Sequence, residues 1–120
     1  MWLWMYAPRL PAMSKAGVNP QDAAHPGSLN VLPAGVRSVA DNYNHLHEQP
    51  TVFYALIFFC HLVGVSDNLN INLAWGYVAI RVLHSLVQGT VNVVMIRFLL
   101  FVLSSILLII ITARNILFVM

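Results

Sequence analysis

Apolar stretches separated by polar, proline- or glycine-bearing breaks lay out the plan of this 120-residue chain. Residues 1–7, MWLWMYA, are apolar and aromatic but too short to span hydrocarbon. They lack the charged start and small-residue cleavage site of a signal peptide. They are read instead as the closing turns of a first helix whose beginning is absent, with Trp2, Trp4 and Tyr6 near a membrane interface. Residues 8–35 collect prolines, glycines and polar residues and are expected to form a solvent-side connection. A helical pattern then runs over residues 36–65 and changes from polar to apolar at Pro50. Its wet half carries Asp41, Asn44 and Glu48 at i, i+3 and i+7, and Pro50 is expected to remove one hydrogen bond and bend it. SDNLN at residues 66–70 reads as a short polar turn with helix-capping residues. A third helix is expected over residues 70–88, ended by Gly89 and Thr90, and a fourth over residues 95–119.

Composition turns this plan into a membrane protein. Hydrophobic residues make up 59% of the chain and charged residues 8%, with a mean hydropathy of +0.76. A soluble domain carries about 25% charged residues. Because helices satisfy their own peptide groups in lipid, the expected fold is an all-α, multi-pass integral membrane bundle: a single domain with three full spans and the stub of a first helix. The net charge of +2 is too small to imply nucleic acid, and its distribution says more. Arg9, Lys15, Arg37 and Arg97 fall on one side of this layout and Arg114 on the other. The positive-inside rule then places residues 8–35 and the turn at residues 89–96 in the cytoplasm. Asn44 and Glu48 come to share that membrane face with Gln88 and Arg97.

The chemistry concentrates in residues 77–97, YVAIRVLHSLVQGTVNVVMIR. Tyr77, Arg81, His84 and Gln88 stand at i, i+4, i+7 and i+11, along one face of a helix, and Arg97 follows a turn. A guanidinium deep in hydrocarbon costs about 2.5–3.5 kcal/mol on insertion scales, so something must compensate it: a carboxylate, water in a cavity, or an anionic ligand. Each residue also has a plainer reading. Arg97 can snorkel to lipid phosphate, Arg81 can form a structural ion pair with Glu48 or a neighbouring subunit, and His84 can hydrogen-bond across helices. His45 and His47 lie close together without the further ligands of a metal site, and none is expected. His61 reads as a packed polar residue, Cys60 as inert core, and Ser104 and Ser105 as bonding back to their own helix.

The spacing RVLHSLVQ at residues 81–88, with Arg97 sixteen positions after Arg81, resembles the third helix and following turn of the MAPEG family, membrane-associated proteins in eicosanoid and glutathione metabolism. NHLHEQP at residues 44–50 resembles the second-helix motif of the same family, and the likeness covers residues 36–114. The resemblance implies a four-helix subunit, a homotrimer, and glutathione bound as co-substrate between subunits near the cytoplasmic face, beside a lipophilic small-molecule substrate and membrane lipids. It implies that Arg97 stabilises the glutathione thiolate and that Arg81, Asn44 and Glu48 hold the peptide; Tyr77, His84 and Gln88, on the same helix face as Arg81, are further candidate binding residues. His84 matches the microsomal glutathione transferase and prostaglandin synthase branch, so a transferase or peroxidase is the leading expectation. In that branch a tyrosine stands where this chain has Gln88, and the spacing from Asn44 to Glu48 is one residue longer than the common one. These departures motivate a second hypothesis, a non-catalytic lipid-binding or scaffold protein of the same architecture. A small multidrug or ion transporter is the third, and Glu48 argues against it by preceding the apolar span instead of lying within it.

Overall fold

The computed structural model describes residues 2–19, 21, 27–65 and 67–120. Met1, residues 20 and 22–26 of the expected connection, and Ser66 of the expected polar turn lie outside the described residues, as does the side chain of Trp2 that was placed at an interface. Five helices are present, α1 (Trp2–Lys15), α2 (Ala34–His45), α3 (Gln49–Val63), α4 (Asn68–Gly89) and α5 (Val94–Val119), and no strand occurs among the described residues. The all-α expectation holds. The chain forms two compact units, Met1–His45 and Leu46–Met120.

In the first unit α1 packs on α2, and Met5, Leu32 and Val39 are buried. The expected stub is longer than its apolar run, because the helix continues to Lys15 through Pro8 and Pro11. Good helix formers around the prolines carry it on, and Gly17 stops it. Gly17 takes the left-handed conformation, φ 64°, and Val18 N–H reaches back to the Met13 carbonyl at 3.1 Å, the 6→1 bond of a helix stop.

The single helix expected over residues 36–65 is two helices, with a turn at residues 46–48. Pro50 is the cause. Its ring excludes the N–H that would bond the carbonyl of Leu46 and collides with that carbonyl, so the helix restarts with proline in its first turn. Thr51 bonds back within this first turn, its hydroxyl donating to the Glu48 carbonyl at 2.6 Å.

In the second unit α3 ends at Gly64, φ 76°, with Val65 N–H donating to the Cys60 carbonyl at 3.0 Å. Asp67 then caps α4, its carboxylate accepting from the Asn70 N–H at 2.9 Å. Helices α4 and α5 run antiparallel, in contact at three levels. Asn70 meets Arg114, Gly76 lies so close to Leu107 that an added Cβ would approach its Cδ1 at 3.3 Å, and His84 faces Phe101. Phe53, Cys60, Tyr77, Leu108 and Ile111 form the core, where the rings of Phe53 and Tyr77 stack at 4.3 Å.

The distribution of polarity is inverted relative to a water-soluble bundle. Asn70, Arg81, His84, Ser85, Gln88, Ser104 and Asn115 are buried, whereas Phe58, Leu62, Trp75, Val82, Leu103 and Ile109 are exposed. In water this arrangement would forfeit the hydrophobic effect; with hydrocarbon as solvent it is the favourable one. Among the described residues α5 alone combines the length and hydropathy of a membrane span. The other two expected spans differ from it for local reasons. Pro50 leaves α3 with 15 residues, fewer than the ~20 that cross hydrocarbon directly, and the polar stripe dilutes α4.

Candidate functional site

The stripe expected on the third helix exists and faces inward. Tyr77, Arg81, His84, Ser85 and Gln88 are all buried along one side of α4; Arg81 is 5% exposed and Gln88 0%. Helical periodicity aligns them, and the stacking of Tyr77 on Phe53 and the approach of His84 to Phe101 set that side against α3 and α5. Tyr77 stands one turn before Arg81 on the same face, and Glu48 precedes α3 in the same unit. A buried guanidinium is thus held beside a phenol, an imidazole and an amide on one helix face. Guanidinium forks bind carboxylates through paired, charge-assisted hydrogen bonds, so the surroundings are suited to a small anionic ligand.

Two residues outside the sequence expectation complete this polar layer. Gln49, at the start of α3, donates its amide N–H to Ser105 Oγ at 2.7 Å and accepts from Ser104 Oγ at 3.3 Å. Both serines also bond back to the Phe101 carbonyl at 2.8 Å, as expected of serine inside an apolar helix. Gln49 therefore ties the restart of α3 to the middle of α5. The signal was a glutamine beside the helix-breaking Pro50, but only three-dimensional contact pairs it with residues 55 and 56 positions away.

Arg97, in the first turn of α5, is half-buried. Its Nη1 donates to the side-chain oxygen of Asn92 at 2.5 Å, and its backbone N–H bonds the Val93 carbonyl at 3.1 Å. Asn92 is the second residue that sequence reasoning missed. Its positive φ of 49° is the available signal only in hindsight, because asparagine tolerates this region while nothing in the sequence demands it there.

Glu48 is exposed in the turn before α3, in the same unit as Arg81 and Arg97. Asn44 is exposed near the end of α2 and belongs to the other unit. The structure thus brings Tyr77, Arg81, His84 and Gln88 together on one face, keeps Glu48 in the same unit, and sets Arg97 across the α4–α5 turn from Gln88.

At the far end of the unit a second polar cluster closes α4 against α5. Arg114 donates to Asp67 at 2.6 Å and to Asn70 at 3.1 Å, and the Asn70 amide donates to the Val65 carbonyl at 3.0 Å. Arg114 was expected at the far interface; here it is a clasp on the α4 cap. Beside it, α3 and α4 border an apolar groove of about 580 Å³ that contains Cys60, His61 and Trp75 but none of Arg81, His84, Gln88 and Arg97. His61 is exposed, so the packed position expected for it is not what it occupies.

The search of curated proteins and the search of solved structures return no significant match. A family model, that of the MAPEG family, matches residues 1–117 and so includes both polar clusters and every candidate site residue. With nearly the whole chain matched, and an all-helical unit with a polar interior in agreement, the chain belongs to the MAPEG family.

Proposed function

We propose that this chain is a glutathione-dependent transferase or peroxidase acting on lipophilic electrophiles, of the microsomal glutathione transferase and prostaglandin synthase type. The observation that carries the reading is the buried stripe of Tyr77, Arg81, His84 and Gln88, followed by Arg97 beyond the turn, in a member of a glutathione-related family. Helices α3, α4 and α5 cross the membrane, and the turn at residues 90–93 faces the cytoplasm. Three copies assemble, with glutathione between neighbours. Arg81 binds a glutathione carboxylate, Glu48 receives its amine, and Tyr77, His84 and Gln88 line the polar wall.

Arg97 carries the chemistry. A free thiol has a pKa of about 8.5, and a neighbouring permanent cation favours the thiolate, which is the nucleophile. Conjugation then needs the sulfur lone pair to attack the electrophilic carbon as the leaving group departs. Positioning and charge stabilisation suffice, with no covalent enzyme intermediate. The test is glutathione titration of purified protein, followed by the ultraviolet absorbance of the thiolate. The wild type should show a saturable signal and turnover of a lipophilic electrophile, and Arg97→Ala should lose at least about tenfold of both, as expected when one charge-stabilising donor is removed. Saturable lipid binding without any glutathione signal would instead establish the non-catalytic member.

A further inference from the structure

Arginine is a long side chain with high rotamer entropy, and Arg97 stands in the first turn of its helix, where such a chain would ordinarily sweep a wide volume. Here it is held. Asn92, five residues earlier, accepts a hydrogen bond from Nη1 at 2.5 Å. Asn92 is itself fixed: its backbone is left-handed, φ 49°, and its N–H donates to the Val87 carbonyl at 2.7 Å across the end of α4. The α4–α5 turn is therefore tied back to the end of α4 by Thr90, whose hydroxyl donates to the Leu86 carbonyl at 2.6 Å, and by the Asn92 N–H, while the Asn92 side chain reaches the cation that follows.

Three residue types occupy left-handed positions readily: glycine, asparagine and aspartate. Glycine would make the turn but offers no acceptor. Aspartate would make the turn and grip the guanidinium, yet its carboxylate would compete with any anion for the positive charge. Asparagine alone both fixes the guanidinium and adds no negative charge. We infer that Asn92 is a positioning residue, whose amide oxygen sets the orientation in which the Arg97 guanidinium meets the glutathione sulfur while preserving its charge for the thiolate. The inference rests on the glutathione reading above and adds to it the residue that prepares the cation.

Asn92→Gly and Asn92→Asp both suit the positive φ, so the turn persists in each. Asn92→Gly should lower the thiolate absorbance at saturating glutathione and kcat by about tenfold, the lower end expected for losing a hydrogen bond to a charged group, with KM for the lipophilic electrophile little changed. Asn92→Asp should lower the thiolate signal further, because an anion now sits where the sulfur needs the cation. Thermal unfolding of both variants should match the wild type. A wild-type thiolate signal in Asn92→Gly, an Asn92→Asp signal equal to or above the wild type, or a fall in Tm that tracks the loss of activity would each overturn the inference. Absence of glutathione binding and turnover in the wild type would remove the glutathione reading itself; a normal wild type with indifferent Asn92 variants removes only the role of Asn92.

Discussion

A phenol buried to 1% exposure, with no hydrogen-bond partner for its oxygen among the described residues, is a costly way to fill the space at Tyr77. Leaving such a group unsatisfied costs about 1–3 kcal/mol, whereas its ring stacks on Phe53 as phenylalanine would. Tyr77→Phe should therefore keep or raise stability, by up to about 1 kcal/mol in thermal or denaturant unfolding. If glutathione engages the hydroxyl, the same variant should weaken glutathione binding while the apo protein stays as stable. A loss of apo stability would mean that the oxygen has a structural partner in the assembled protein. Arg81 shows what was legible at this scale. An arginine in an apolar run demands compensation whatever the fold, so its burial followed from spacing alone. Gln49 and Asn92 were not legible, because an amide side chain is tolerated almost anywhere and acquires meaning only from its neighbour.

Each helix boundary in the second unit has a chemical cause, and Asp67 carries two of these causes at once. It accepts the capping hydrogen bond of α4 and pairs with Arg114, through side chains that are 50% and 36% exposed. An exposed ion pair contributes about 0–1 kcal/mol and a cap about 0.5–2 kcal/mol. Asp67→Ala should consequently destabilise the bundle by about 1 kcal/mol more than Arg114→Ala, since the latter leaves the cap intact. Equal losses would show that the α5 contact, not the cap, fastens this end. The helix expected over residues 36–65 fails for a reason of the same kind. Proline inside an otherwise helical pattern either bends or breaks it, and the sequence marks the position without deciding the outcome. Proline suits the first turn of the restarted helix, where its missing N–H would have no intrahelical partner, and this favours the break.

Taken whole, the second unit is built for a solvent that is apolar, with its polar groups turned to one another. That arrangement makes the proposed ligand a stabiliser. A molecule that binds only the folded state at a hundred times its Kd adds about 2.7 kcal/mol, so glutathione should raise the thermal midpoint of detergent-solubilised protein with a saturable concentration dependence. Native mass measurement of the same sample should give three copies of the chain. Arg81→Ala should abolish the glutathione-dependent shift, because it removes the buried fork proposed to receive a carboxylate. A shift that survives in Arg81→Ala would place the ligand elsewhere.

The sequence by itself determined the class of solvent, the helical fold and the face of α4 that carries the polar stripe, because hydropathy, backbone satisfaction in lipid and the 3.6-residue period are local properties of the chain. Tertiary structure alone decided that Pro50 breaks its helix, that Gln49 pins α3 to Ser104 and Ser105, and that Asn92 grips Arg97. These outcomes depend on where a side chain from one element finds an acceptor on another, and a turn or a packing contact settles that distance, which no pattern along the chain encodes.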